Sequence, residues 1–143
     1  MQPSDVRAKI SADHRHLGEL LKQAGQYAWR AMDGDASAGA PLRAAVVALD
    51  QPLRNHLQSE EDLLPHLFDE IGWGPIQLLD HKVTHAHERE FLTALVGLAR
   101  DAAGDTRTLA LEVAAFVQEM VKEIEREETS LAHPDAVRAG VRT

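Results

Sequence analysis

The sequence predicts an all-α protein, an antiparallel up-down-up-down four-helix bundle. Three observations carry that expectation. Apolar residues recur at helical spacing in four segments of roughly 25 residues each. Short stretches rich in Gly, Asp and Pro separate those segments. Strand-favouring runs of Val, Ile, Thr and Tyr are absent, and aromatic residues make up only 4% of the chain, so little in it favours a sheet.

The first segment runs from about Ser4 to Ala31, with Val6, Ile10, Leu17, Leu21, Ala24 and Ala28 on one face. Met32 to Ala40 has loop composition, and Pro41 suits the first position of a new helix. The second segment carries Leu42, Val46, Leu49, Leu53, Leu57, Leu64 and Leu67, and Pro52 inside it should kink or restart it. Gly72-Trp73-Gly74-Pro75 ends it and opens the third, which reaches about Ala102 with Leu78, Leu92, Leu95 and Val96 along one side. Gly104-Asp105-Thr106 breaks the pattern, and Asp105 or Thr106 can cap the fourth helix. That helix continues through Leu109, Val113, Phe116, Met120 and Ile124 to about Ala132. Residues 1–134 therefore read as one domain and residues 135–143 as a flexible C-terminal tail. Four helices with short connections give the up-down-up-down order.

Composition narrows the function. Of the 143 residues, 44% are hydrophobic and 27% charged, a globular balance. The net charge of −8 argues against a nucleic-acid partner, which needs a basic face. There is no Cys, so disulfides, thiolate metal sites and thiol catalysis are excluded. The N-terminus is polar and no apolar run is long enough to span a membrane, so a cytoplasmic protein without a membrane partner is expected. Eight His in so short a chain ask for a physical reason.

Residues four apart on a helix share a face. The second helix has His56 followed by Glu60, the third His81 followed by His85, the fourth Glu123 followed by Glu127, and the first offers His14. His56, Glu60, His81, His85 and Glu127 fall inside the apolar stripes of their helices. Glu123 lies on the shoulder of its stripe and His14 at the edge of its own. Buried charge without partners costs several kcal/mol per group, so such groups pair or bind metal. In an up-down-up-down bundle the starts of helices one and three share an end with the finishes of two and four. All seven side chains then lie in one layer, within roughly two helical turns. Four imidazoles and three carboxylates at one level make a site for two metal ions. Nitrogen and oxygen donors without sulfur suit iron or manganese, whereas zinc usually takes fewer ligands in a tetrahedron. The Glu-x-x-His spacing of ferritin-like sites does not occur.

These residues resemble the hemerythrin-like (HHE cation-binding) family. The matching pieces are Asp13-His14-Arg15-His16-Leu17, His56-Leu57-Gln58-Ser59-Glu60-Glu61-Asp62-Leu63-Leu64-Pro65, Asp80-His81 with His85, and Glu123-Ile124-Glu125-Arg126-Glu127-Glu128. The resemblance spans residues 4 to 134. It implies two iron ions, oxo- or hydroxo-bridged, with Glu60 and Glu127 as bridging carboxylates and His14, His56, His81 and His85 as terminal ligands; manganese or zinc would be less in keeping. It also implies a small diatomic or peroxide ligand. The family usually repeats His-x-x-x-Glu in the fourth helix, and here Glu123 stands in place of that His. Bound through one oxygen, Glu123 leaves one coordination position open; bound through both, it closes the site. An added anionic ligand favours ferric iron and disfavours reversible dioxygen carriage.

The expected function is a diiron protein that binds or reduces dioxygen, nitric oxide or peroxide. No separate general acid or base stands out, so turnover is left open beside binding. The rival readings are an iron-binding or oxygen-sensing module acting through a partner, and a metal-free bundle whose inward polar groups pair. Glu88, one turn beyond His85 on the inner face, either supports a ligating imidazole or replaces a ligand. His16, His66, His87 and His133 read as solvent-facing. Glu119, Glu125, Arg126 and Glu128 read as a charged surface. Phe91, Phe116, Met120 and Leu131 read as core, Tyr27 and Trp29 as packing, and Trp73 as a cover for the bundle end. The oligomeric state is left open.

Overall fold

The structure, a computed structural model, describes residues 2–132. The expected tail at 135–143 and His133 lie outside the described residues. Among these, every regular element is helical. Four long helices dominate: α1 (Pro3–Met32), α2 (Gly39–Leu63), α4 (Pro75–Arg100) and α5 (Thr106–Ala132), with a one-turn α3 (Phe68–Ile71) before α4. Short 3-10 turns occupy Ala36–Ala38 and Leu64–Leu67. Among the described residues no helix is long and apolar enough to cross a membrane.

Local chemistry sets the ends. Pro3 and Pro75 open α1 and α4, where a missing N–H costs nothing. The Gly74 N–H donates to Gln77 Oε1 at 2.9 Å, tying the entry to α4. Asp105 is the cap of α5, accepting from the N–H groups of Arg107 and Thr108. Two expectations shift. The chain is already helical at Gly39, two residues before Pro41. Helix α2 runs through Pro52, and α-helical geometry gives way to a 3-10 turn around Pro65 instead. Gly72, at φ 73°, takes the left-handed conformation that ends α3 and turns the chain toward α4.

Helix α1 packs on α2 and α5, α2 on α4, and α4 on α5, an arrangement compatible with a four-helix bundle. The α4–α5 contact is the least extensive of these four. Arg43, near the start of α2, donates to the carbonyls of Leu98, Ala99, Asp101 and Gly104 and so ties α2 to the turn between α4 and α5.

The interior has two apolar clusters. The larger includes Leu17, Leu21, Leu49, Leu53, Leu92, Phe116 and Met120. The smaller comprises Val6, Ile10, Leu64, Leu67, Ile71 and Leu131, with Phe68 and Trp73 packed against it. Phe116, Met120 and Leu131 are buried as expected, and Tyr27 and Phe91 pack partly buried against the larger cluster. Trp29 departs from expectation: it is 64% exposed and packs little. The two clusters do not meet on any helix without a polar interruption. On α1, His14 separates Ile10 from Leu17; along α2 and the 3-10 turn that follows it, Glu60 separates Leu57 from Leu64; on α5, Glu127 separates Met120 from Leu131.

Candidate metal centre

Seven polar or charged side chains are buried among the described residues: His14, His56, Glu60, His81, His85, Glu88 and Glu127, each at most 7% exposed. The apolar stripes put them there. A residue three or four positions from a buried Leu must face the same interior, and no helix can turn its stripe outward at one turn alone.

Six of the seven converge. His14, His56, Glu60 and Glu127 form one group, and Glu60, His81, His85 and Glu127 another; within each, one ligand atom per residue lies within 4.8 Å of the others. Either group could hold a metal ion. They share the two carboxylates, which stand between two pairs of imidazoles. The His14 and His56 ring centroids are 4.7 Å apart, and those of His81 and His85 3.9 Å. Glu60 Oε1 meets His14 Nε2 at 3.4 Å and lies against His56 Nε2, while Glu60 Oε2 is 3.9 Å from His81 Nε2 and 3.6 Å from His85 Nε2. Glu127 Oε1 is 3.1 Å from His14 Nε2.

The far side of two imidazoles is hydrogen-bonded, and that of a third faces a carboxylate without a hydrogen bond. His14 Nδ1 donates to Glu128 Oε1 at 2.7 Å, and His85 Nδ1 to Glu61 Oε1 at 3.3 Å. His56 Nδ1 faces Asp13 Oδ2 at 3.5 Å. Glu61 also accepts from Arg89 at 2.6 Å, and Asp13 pairs with Lys9 at 3.1 Å. A carboxylate that accepts a hydrogen bond from Nδ1–H fixes the tautomer in which Nε2 carries a free lone pair aimed inward, the pattern by which metal-ligating histidines are oriented. The inward atoms match. His56 Nε2, His81 Nε2, His85 Nε2, Glu60 Oε2 and Glu127 Oε2 are buried without a hydrogen-bond partner. Buried polar atoms are rarely left so, and a cation between them satisfies all five. The donor set therefore fits metal ions of intermediate softness.

Electrostatics without a cation are strained. Burial pushes the Glu60 carboxyl up, but contacts with His14, His56 and His85 outweigh it and hold it well below the usual range. Burial and the charge of Glu60 push Glu127 well above it. Burial works against the charged form of His14, yet Glu127, Glu60 and Glu128 carry it up to about 10. Burial and the neighbouring charge of His85 bring His81 down to about 4.

Glu123 stands apart from both groups. Its Oε2 accepts from Arg126 at 2.6 Å, one turn along α5, and its side chain is 13% exposed. Glu88 is buried one turn from His85 with Oε2 unpartnered; burial lifts its carboxyl to about 7. His16, His66 and His87 are exposed, as the sequence indicates. Glu128 is a correction: the residue read as charged surface is half-buried and holds His14. Asp13 and Glu61 went unassigned as well. The available signal is adjacency, since each of the three sits next to a candidate ligand in the chain.

A cavity of about 620 Å³ opens between α4 and α5, with His81 and Glu127 in its wall. Trp73 also lines it, edge-on to His81 at 5.1 Å and stacked on Phe68 at 5.8 Å.

Among families of known proteins, the one described as the Hemerythrin HHE cation binding domain matches residues 5–133. Comparison with curated proteins and with solved structures gives no match.

Proposed function

The chain belongs to the hemerythrin HHE cation-binding domain family, and from that premise we propose that it is a non-heme diiron protein that binds or reduces a small oxidant: dioxygen, nitric oxide or peroxide. One observation carries the reading. Two groups of four buried donors share Glu60 and Glu127, so two cations side by side would each take two imidazoles and be bridged by the same two carboxylates. His14 and His56 would hold one ion, His81 and His85 the other. The four long helices running up-down-up-down bring the donors to one level. Glu123, engaged by Arg126, stays outside this ligand set. Iron is favoured over zinc by the many mixed nitrogen and oxygen donors.

When bound, the two ions supply one-electron redox chemistry and Lewis acidity. The chain supplies the rest. Glu128, Glu61 and Asp13 fix the imidazole faces. Glu60 and Glu127 balance the cationic charge, and loading must displace protons, foremost the one that His14 holds up to about 10. The apolar clusters above and below shield the site from water at those two ends.

The test is metal content together with the absorption spectrum of protein from iron-supplied cells. About two irons per chain, with near-ultraviolet diferric absorption, are expected. His56→Ala and Glu127→Ala should lose that iron while helical circular dichroism is kept. Protein that takes up no iron, or variants that keep the full complement, would refute the reading. Binding and turnover separate on mixing reduced, anaerobic protein with each oxidant: a reversible band indicates binding, and loss of oxidant beyond stoichiometry indicates turnover.

A further inference from the structure

We propose that the cavity between α4 and α5 is a binding site for a neutral organic hydroperoxide, whose oxygen end reaches the ion held by His81 and His85. This rests on the diiron reading and extends it to a ligand class and to one of the two ions.

Size is the first argument. Dioxygen, nitric oxide and hydrogen peroxide need little more room than a water molecule, about 30 Å³. The cavity holds about 620 Å³, within the roughly 300–1,000 Å³ of pockets that enclose organic ligands. Its wall includes both an imidazole donor, His81, and a bridging carboxylate, Glu127. No other described cavity combines the two. The adjoining void, which shares Trp73, Glu127 and Ser130 with the cavity and reaches Glu60 under Ile10, Leu64 and Leu131, is only about 10 Å³, enough for one water. The cavity beside His56 meets no second candidate ligand and is bounded by Asp13, which faces the outward Nδ1 of that ring.

The arrangement of acids explains why the opening lies here. Asp13 of α1 faces His56 of α2, Glu61 of α2 holds His85 of α4, and Glu128 of α5 holds His14 of α1. The remaining step, from α4 to α5, has no imidazole at its end. Asp80, next to His81, shares the cavity wall with Glu123, and Glu123 is turned to Arg126. An ion held by His81 and His85 would therefore meet no imidazole of α5 on the cavity side.

Charge selects the ligand. In the metal-free protein Asp80, Glu123 and Glu125 face Lys122 and Arg126 around the cavity, with Glu127 pushed well above the usual carboxylate range, so the wall has no excess of cations to select an anion and admits a neutral molecule. The indole of Trp73 offers an apolar wall for a short hydrocarbon body. A hydroperoxide combines such a body with an oxygen donor. Its reduction to alcohol and water breaks the O–O bond and takes up two electrons and two protons; two ferrous ions, if bound, would supply the electrons on becoming ferric, and water entering the same cavity would supply the protons.

The test has two arms. Trp29→Phe, at an exposed position on α1, leaves Trp73 as the one indole of the chain. In metal-free protein of this background, cumyl alcohol should change the Trp73 fluorescence saturably, and 4-isopropylbenzoate, an anion of similar size, should bind at least tenfold more weakly. Thr129→Phe, an exposed substitution in the cavity wall, should abolish the signal. In iron-loaded, reduced protein the same change should lower the ratio of rate constants for cumene hydroperoxide and hydrogen peroxide at least tenfold. No saturable signal, equal binding of the anion, or an unmoved ratio would overturn the proposal. Iron content is measured on every sample. Protein without iron refutes the diiron reading and the ion-directed half of this one, while the fluorescence arm still decides the cavity. Protein with two irons and an unmoved ratio refutes this proposal alone.

Discussion

Replacing Glu88 with Gln should stabilise the metal-free protein at alkaline pH and do nothing at acid pH. Glu88 is 4% exposed, its Oε2 has no partner, and burial lifts its carboxyl from 4.5 to about 7. His85 on its own helix opposes that rise, while Glu60 on α2 and Glu123 and Glu119 on α5 add to it. Between pH 4.5 and 7 the folded chain keeps a proton that the unfolded chain has lost, so stability falls as pH rises through this window and levels off above it. At about 1.4 kcal/mol per pH unit, the full cost is about 3 kcal/mol. Gln has the shape of the protonated acid and no charge at any pH, so it escapes this cost. Urea unfolding of both proteins should give equal free energies near pH 4 and a gap of about 3 kcal/mol in favour of Glu88→Gln near pH 8, worth roughly 10 °C in Tm. Bound cations favour the ionised acid, so the gap should shrink when metal is present. A gap independent of pH, or a Gln variant weaker than the parent near pH 8, would show that Glu88 is not held neutral by burial.

Three further outcomes follow from the same geometry. Removing metal with a chelator should lower Tm, because a ligand that binds only the folded chain contributes about 2.7 kcal/mol at a free concentration a hundredfold above Kd; an unchanged melting curve would refute coupling between site and fold. Glu128→Gln should weaken metal binding about 10- to 100-fold, read by competition with a chromophoric chelator, while circular dichroism stays constant, since the residue holds His14 Nδ1 rather than the core. Arg43→Ala should cost about 2 kcal/mol in urea unfolding, because four carbonyls at the turn between α4 and α5 lose their donor; iron content should not change.

What the sequence makes legible is whatever repeats along one helix. The four long helices follow from apolar period and breakers, and five of the six converging donors follow from lying within those stripes, with His14 at the edge of its own. Proline shows where such reasoning thins out. Pro52 and Pro65 both remove an N–H, yet α2 passes through the first and leaves α-helical geometry at the second. The carbonyl freed by Pro52 belongs to Ala48, on an exposed face, where water can replace the lost bond; period alone does not weigh that. Glu123 was placed by its stripe, while its i,i+3 spacing to Arg126, a pairing that helices favour, is the contact it makes.

The largest gap lies between helices. Asp13, Glu61 and Glu128 act through a distance from one helix to an imidazole on the next, and no single-helix pattern contains that distance. Each nonetheless stands directly beside a donor: Asp13 before His14, Glu61 after Glu60, Glu128 after Glu127. One residue of offset on a helix is about 100° of rotation, which turns the acid from the centre of the site toward the seam with the neighbouring helix. An acid adjacent to a buried donor therefore has the reach to hold the next helix's ring from behind. On α4 the same adjacency recurs, Asp80 before His81, but the position on α5 that it would serve is Glu123, not an imidazole. That interrupted step coincides with the least extensive helix contact and with the large cavity: with Glu123 turned to Arg126, no side chain from α5 backs Asp80, and the seam beside His81 stands open.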